Sequence, residues 1–340
     1  MKRLYLLIFC LNVLSAGHAQ TVINNTLGAD LAWYPSNHAG YKCTGFAPID
    51  FSTVPKEDLG PLLDDGRDLG KQGYEGIVRF IHSVKMPFLQ GSGVFTEGNN
   101  LEVQLVGDVS PVTAGAGVKT ILTPAAFVSL DASLYAGSGW SLAGLNGLAV
   151  NTLNDPYSPV PLGGLYLKTE TGISFKFDLS AVIPGDWTHV VTVYRPALEY
   201  QLNTAAAEDE PWQWQADQGE NFNGWNWLQT FFIGYQTPEL RKFDTVGVAV
   251  ETEQRVTRRE DSTMDEGGWG SDFMKVNIAP VAVVELKEGH KLTIQFQFAR
   301  ERDYTDATVG NESFLNRSVD SENPSYWYFR RIAFSYRMVL

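Results

Sequence analysis

Residues 328–340 read YFRRIAFSYRMVL. Ile332, Phe334, Tyr336, Met338 and Leu340 interleave there with Arg331, Ala333, Ser335, Arg337 and Val339. Successive side chains of a strand point to opposite faces, so one face of this segment is apolar and the other carries two arginines. The same period of two recurs upstream. Leu101, Val103 and Leu105 alternate with Glu102 and Gln104, and Leu130, Ala132 and Leu134 with Asp131 and Ser133. Val246, Val248 and Val250 alternate with Gly247, Ala249 and Glu251, and Leu292, Ile294, Phe296 and Phe298 with Lys291, Thr293, Gln295 and Gln297. Helical spacing is nearly absent, which makes this an all-β chain.

The alternating runs are about 10 to 15 residues long. Strands in soluble sandwiches run nearer about five or six, whereas about 9 to 11 tilted residues cross a bilayer. The connections carry a second, independent signal. Turn formers at 123–124, 183–186, 236–239 and 287–289 make tight connections, while 35–73, 137–162, 203–223, 255–271 and 303–325 are long and polar. Alternating short and long connections predict a closed antiparallel transmembrane β-barrel with short periplasmic turns and long extracellular loops. Twelve strands are predicted: 22–34, 74–87, 100–110, 112–122, 125–136, 163–182, 187–202, 224–236, 242–254, 273–286, 290–302 and 326–340. A hairpin at Thr169 to Gly172 within 163–182, or a failed turn at Ser110-Pro111, would move the count within 10 to 14. An even count places both termini on the periplasmic side.

Composition agrees. The 340 residues are 44% apolar and 19% charged, with a net charge of −13. An acidic chain lacks the basic face that displaces counterions from phosphate, so nucleic acid is not an expected partner. Two cysteines exclude a disulfide scaffold and a thiolate metal cage, and no run beyond residue 20 is long and apolar enough for a membrane helix. Residues 1–19 read as an export signal: Lys2 and Arg3, an apolar stretch Leu4 to Leu14, then Gly17-His18-Ala19, predicting cleavage before Gln20. Residues 20–340 form the single domain. Aromatics near strand ends (Trp33, Tyr34, Tyr74, Tyr135, Trp187, Tyr200, Trp225, Trp227, Tyr235, Tyr326) suit two interfacial girdles. The rival fold is a soluble secreted β-sandwich that binds carbohydrate through the loop 203–223, since alternation alone separates neither case.

The leader, the alternating strands and the final run 328–340 resemble the outer-membrane β-barrel proteins of diderm bacteria. The resemblance implies location in the outer membrane, lipid as a partner, and recognition of the last strand, 326–340, by the barrel-assembly machinery. The chain ends in Leu340, where that class usually has an aromatic. The blocks 184–187 (PGDW) and 220–225 (ENFNGW) are similar to a group of uncharacterised barrels, which carries no activity with it.

On the barrel reading, the inward face holds Asp30, Arg79, Lys85, Glu102, Asp108, Lys119, Asp131, Lys168, Glu170, Lys176, Asp178, Glu251, Glu253, Lys291, Glu301, Arg331 and Arg337. These are eight basic and nine acidic groups, so the lumen is close to neutral. A strongly ion-selective pore would show one dominant sign. Balanced charge in a narrow interior suits a salt-bridged plug, and hence a structural or surface-interaction protein; a narrow small-solute channel is the other reading. The loop 203–223 offers Glu208, Asp209, Glu210, Asp217 and Glu220 beside Trp212 and Trp214, a candidate surface for a divalent cation or a sugar. No EF-hand spacing, G-x-S-x-G elbow or H-E-x-x-H motif occurs, and His82 and His189 share faces with Val84, Val191 and Val193. No enzyme, metal site or cofactor is therefore predicted.

Overall fold

The computed structural model describes residues 21–34, 73–142, 145–150, 160–161, 164–183, 185, 188–207, 210, 212–215, 221–237, 243–256, 273–302, 304–305, 318–319, 322 and 324–340. Residues 1–20, 35–72, Trp187, 257–272 and most of 306–323 lie outside that set.

Twelve long strands make the wall: β1 Val22–Tyr34, β2 Gly73–Pro87, β3 Asn100–Val109, β4 Thr113–Ala125, β5 Val128–Gly139, β6 Tyr166–Asp178, β7 Val190–Asn203, β8 Gly224–Gln236, β9 Phe243–Arg255, β10 Met274–Lys287, β11 His290–Arg302 and β12 Ser325–Val339. Each pairs antiparallel with its sequence neighbours, and β1 pairs with β12 from Thr26↔Val339 to Trp33↔Ile332. The sheet is thus a closed meander without a free edge, the one strand architecture that satisfies every backbone group inside hydrocarbon. Thirteen residues at a rise of about 3.3 Å, tilted near 45°, span about 30 Å, the hydrocarbon thickness.

The faces are inverted relative to a soluble protein. Leu31, Leu105, Phe231, Phe296 and Trp327 stand exposed on the outside, while Asp131, Glu199, Gln201, Asn226 and Gln297 are buried within. Burial of apolar area drives soluble folding. A soluble sandwich would not leave this continuous apolar surface in water, and the inversion argues against that rival fold.

Two sequence expectations shift. The turn expected at 123–124 sits at 126–127, because Pro124 belongs to β4, where the ladder slips between Leu122 and Ala125. Proline lacks the N–H a regular ladder needs and is accommodated at such an irregularity. The hairpin alternative inside 163–182 does not occur: β6 runs unbroken through Gly172, then turns through a 3₁₀ segment, Leu179–Ala181, capped by Asp178. The remaining bounds fall within a few residues of those read from the alternation.

Candidate functional site: the lumen and its mouth

Strand parity defines the lumen. Arg79 on β2 lies opposite Gly28 on β1 and Asp108 on β3; Gly28 also faces Arg337 on β12. By this register Asp30, Arg79, Lys85, Glu102, Asp108, Lys119, Asp131, Lys168, Glu170, Glu251, Arg331 and Arg337 fall on one face, the inward one. Parity also places Lys176 and Asp178 inward, at the terminus-side end of β6.

These charges gather into two clusters. In the first, Arg337 Nη1 donates to Asp30 Oδ1 at 2.7 Å and Nη2 to Oδ2 at 3.1 Å. Arg79 Nη1 reaches Asp30 Oδ2 at 3.0 Å, and its Nε lies 3.9 Å from Asp108 Oδ2. Tyr135 on β5 donates to Asp108 Oδ1 at 2.8 Å, extending the chain across four strands and the β1–β12 seam. In the second, Arg195 on β7 clamps two carboxylates. Its Nε and Nη2 bond Asp131 at 2.9 and 2.5 Å, and Nη2 also bonds Glu170 at 2.5 Å. Lys119 lies 3.8 Å from Asp131, and Lys168 bridges Glu170 at 3.6 Å and Glu199 at 2.9 Å. Opposite charges that share hydrogen bonds offset each other's desolvation.

Glycine makes this reach geometrically possible. A Cβ on Gly115 would overlap the Tyr135 hydroxyl, one on Gly172 would meet Arg195 Nη2 at 2.8 Å, and one on Gly28 would meet Arg337 Nη1 at 2.6 Å. The long side chains cross these bare positions on their way to partners on neighbouring strands.

The other expected lumenal residues do different work. Arg331 donates to Gln297 and, through Nη1, to the Tyr34 hydroxyl at 2.9 Å. Lys85 stands opposite Glu102, which accepts from Gln104, and Glu251 stands opposite Thr230 and Asn277. Asp178 accepts from the Ser180 backbone as a cap, and Lys291 pairs with Asp244 at 2.7 Å. Glu253 faces Lys275 across the β9–β10 pair. The side chain of Glu301 lies outside the described set.

Arg195, Glu199 and Asn226 were not among the expected residues, and the cause is local. Near its start β7 is apolar on both faces, with Val190, Thr192 and Tyr194 against Val191 and Val193. Val191 and Val193 suggest a lipid-facing set; the register instead puts Val191 opposite Asp178 and Val193 opposite Lys176, on the inward face. His189 precedes this same inward set, 3.9 Å from Asp178, and is not lipid-facing. His82 does face outward, bonded to Asn25. The signal that identifies Arg195 and Glu199 is their alternation with Leu198, Tyr200 and Leu202 later in the strand. Three aromatics assigned to the girdles also turn inward: Tyr34 bonds Arg331, Tyr135 bonds Asp108, and Tyr326 lies opposite Glu301 on the lumen register.

At the end opposite the termini, the mouth carries a folded cap. Trp212–Trp214 pairs with Leu148–Val150, which pairs in turn with Val160–Pro161. Trp212 and Leu148 are fully buried against Tyr166, with Tyr135, Ala206 and Trp214 packed around them. Trp214 stacks on Tyr166 at 4.5 Å and covers Gly137, and Trp212 Nε1 donates to Asn223 Oδ1 at 3.1 Å. The exposed indole platform expected of loop 203–223 is thus corrected: tryptophan's large apolar area drives it down onto the inward tyrosines. Glu210 accepts from the Ala207 backbone within its own turn. Glu208, Asp209, Asp217 and Glu220 lie outside the described residues. Among the described residues, no group of three or more His, Cys, Asp or Glu is placed to hold a metal ion.

No protein-family model matches the chain, and none of the curated proteins does. Among solved structures, it is similar to the translocator domain of autotransporter NalP from Neisseria meningitidis, at 11% identity and a TM-score of 0.33 over 98% of this chain and 95% of that one. It is also similar to LpxR from Salmonella typhimurium, at 8% identity and 0.39 over 92% and 99%, and to a Pseudomonas aeruginosa FadL homologue, at 11% and 0.30 over 94% and 90%.

Proposed function

We propose that this closed β-barrel is an outer-membrane protein with a structural or surface-interaction role, its lumen closed to free ion flow by the paired charges and the mouth cap. The observation that carries this reading is the Arg195 clamp, one cation fixed across Gly172 and shared by Asp131 and Glu170, with Lys119 and Lys168 supplying the remaining positive charge. On this reading the leader is cleaved before Gln20, the termini face the periplasm, the capped mouth faces outward, and the assembly machinery recognises 326–340. Any surface ligand meets the outer loops, since Trp212 and Trp214 are occupied by the cap. The test is planar-bilayer recording of the detergent-extracted protein. The expected result is no stepwise conductance from the native barrel, with steps appearing on deletion of 203–223; regular steps from the native barrel would overturn it.

The second reading, a narrow small-solute channel, is favoured by one observation. Lys119 and Arg79 keep about a third of their side chains open to the lumen, so water reaches the charged belt. It predicts that Arg337→Gln or Arg331→Gln changes ion preference, because each removes one sign from a balanced lining.

A further inference from the structure

Outward-facing polar side chains are satisfied within the wall on one side of the barrel and not on the other. On β6, Thr169 and Thr171 donate to the carbonyls of Ser133 and Asp131 at 3.1 and 3.2 Å, and Asn25 on β1 bonds His82 on β2 at 2.8 Å. On the outer face of β7 to β10 the pairing is incomplete. Gln229 lies in the outward series of β8, among the exposed Trp225, Trp227, Phe231 and Ile233. Its Oε1 accepts from the Tyr194 hydroxyl at 2.9 Å, and among the described residues its Nε2 donates to nothing. Thr252 stands opposite Gln229 on β9, its hydroxyl buried without a partner among the described residues. Gln229 is five residues in from the loop-side end of β8, about 12 Å below it at a tilt near 45°, which is hydrocarbon depth.

The backbone of the same face is also incompletely paired. Pro196 on β7 lies opposite Gln229, and Pro280 on β10 lies opposite Val248 on β9. The β6–β7 ladder lapses at Pro196, between Gly172↔Ala197 and Phe175↔Tyr194, and the β10–β11 ladder at Pro280, between Ile278↔Phe298 and Val281↔Gln295. Proline has no N–H to donate, so each lapse costs the wall a ladder bond that no water replaces inside hydrocarbon. Acyl chains offer an unpaired amide N–H no acceptor. A second glutamine does. Two such amides facing across a two-fold axis each donate Nε2–H to the other's Oε1, whose second lone pair is left over by the Tyr194 bond. An isologous contact sets the same patch against itself, so the patch must not repel its own image. The outward positions of 190–202, 225–235, 246–254 and 274–284 carry no Lys, Arg, Asp or Glu.

We propose that the outer face of β7 to β10 is the contact surface of a two-fold homodimer in the membrane, with Gln229 of each copy paired to the partner's Gln229 at its centre. The surface lies outside the lumen and is independent of whether the barrel conducts. It rests on the wall lying in lipid, which the unboiled gel shift of the same preparation tests separately. The test is disulfide trapping in native membranes. Phe231→Cys, beside Gln229, and Phe80→Cys, an exposed outward position on the opposite wall, are each placed in a Cys43→Ser background and oxidised. Phe231→Cys is expected to give a reductant-sensitive band of twice the chain mass, at least tenfold stronger than that of Phe80→Cys. Adding Gln229→Leu to Phe231→Cys is expected to weaken that band at least tenfold. Equal trapping at the two positions, no trapping at 231, or a band of any other mass would overturn the proposal, the last by identifying a different protein on this face. Trapping unchanged by Gln229→Leu would overturn the role of the amide pair. If Phe231→Cys fails to assemble, sedimentation equilibrium of the native chain in maltoside decides. A dimer whose dissociation constant rises at least tenfold in Gln229→Leu is expected, and a native monomer would show that the face meets only lipid.

Discussion

Replacing Arg195 by glutamine removes one cation from between two carboxylates while keeping most of the volume that fills the slot over Gly172. Asp131 and Glu170 have side chains only 6% and 16% exposed, and Arg195 itself is 19% exposed. Breaking a fully buried pair by deleting one partner costs about 3–5 kcal/mol, because the remaining charge stays desolvated. Two features of this site reduce that figure. Lys119 and Lys168 remain at 3.8 and 3.6 Å, and lumenal water reaches both lysines. The expected loss is therefore about 2–3 kcal/mol, roughly 30- to 150-fold in the folded-to-unfolded ratio. Equilibrium urea unfolding in lipid vesicles, followed by tryptophan fluorescence and by the unboiled gel shift, measures it. The variant Arg195→Gln/Asp131→Asn/Glu170→Gln removes all three charges together and is expected to recover most of the loss. A single-variant loss below about 0.5 kcal/mol, or a triple variant no better than the single, would refute the claim that the clamp acts by electrostatic compensation.

Three further outcomes are expected. Unboiled protein in dodecyl sulfate should migrate apart from boiled protein, since a closed ladder leaves no edge for the detergent to open; identical mobilities would contradict the barrel. Tyr135→Phe should cost about 1 kcal/mol through its bond to Asp108, and Gly115→Val about 1–3 kcal/mol by displacing the same ring. Their combination should fall short of the sum, as urea titration of the double variant will show. Trp212→Ala removes a fully buried side chain from the cap and should cost about 3–5 kcal/mol of local stability, read as faster protease cleavage within 203–223.

Much of the wall is legible in the chain because a lipid-facing strand and a lumen-facing strand are the same strand seen from two sides. The bounds 224–236 and 290–302 match β8 and β11, where Trp225, Trp227, Phe231 and Ile233 share a face broken only by Gln229, and Leu292 to Phe298 alternate without interruption. Legibility fails where a face is set by a partner strand. Val191 and Val193 are apolar enough for lipid, and only pairing with Asp178 and Lys176 turns them inward. Tyr34, Tyr135 and Tyr326 suit an interfacial belt by residue type, yet their hydroxyl groups or register direct them to the lumen. The cap fails to show for a different reason: Trp212 is buried by Leu148 and Tyr166, far away in sequence, and its acidic neighbours give the segment the composition of a solvated loop.

Alternation assigns a face but not the direction a side chain takes along it, and this is why the charge pairing was only partly legible. Arg195 reaches Asp131, two strands away, because Gly172 on the intervening strand has no Cβ; Tyr135 reaches Asp108 over Gly115 for the same reason. A glycine on the inward register is thus as informative as a charge, since it shows where a neighbour can lie flat. The same parity argument isolates Arg300 and Arg302. After four apolar residues in phase, two arginines continue the lipid-facing series, a departure visible in the sequence alone. What the fold adds is their contact with Phe273 and the exposed Trp327 opposite Arg300.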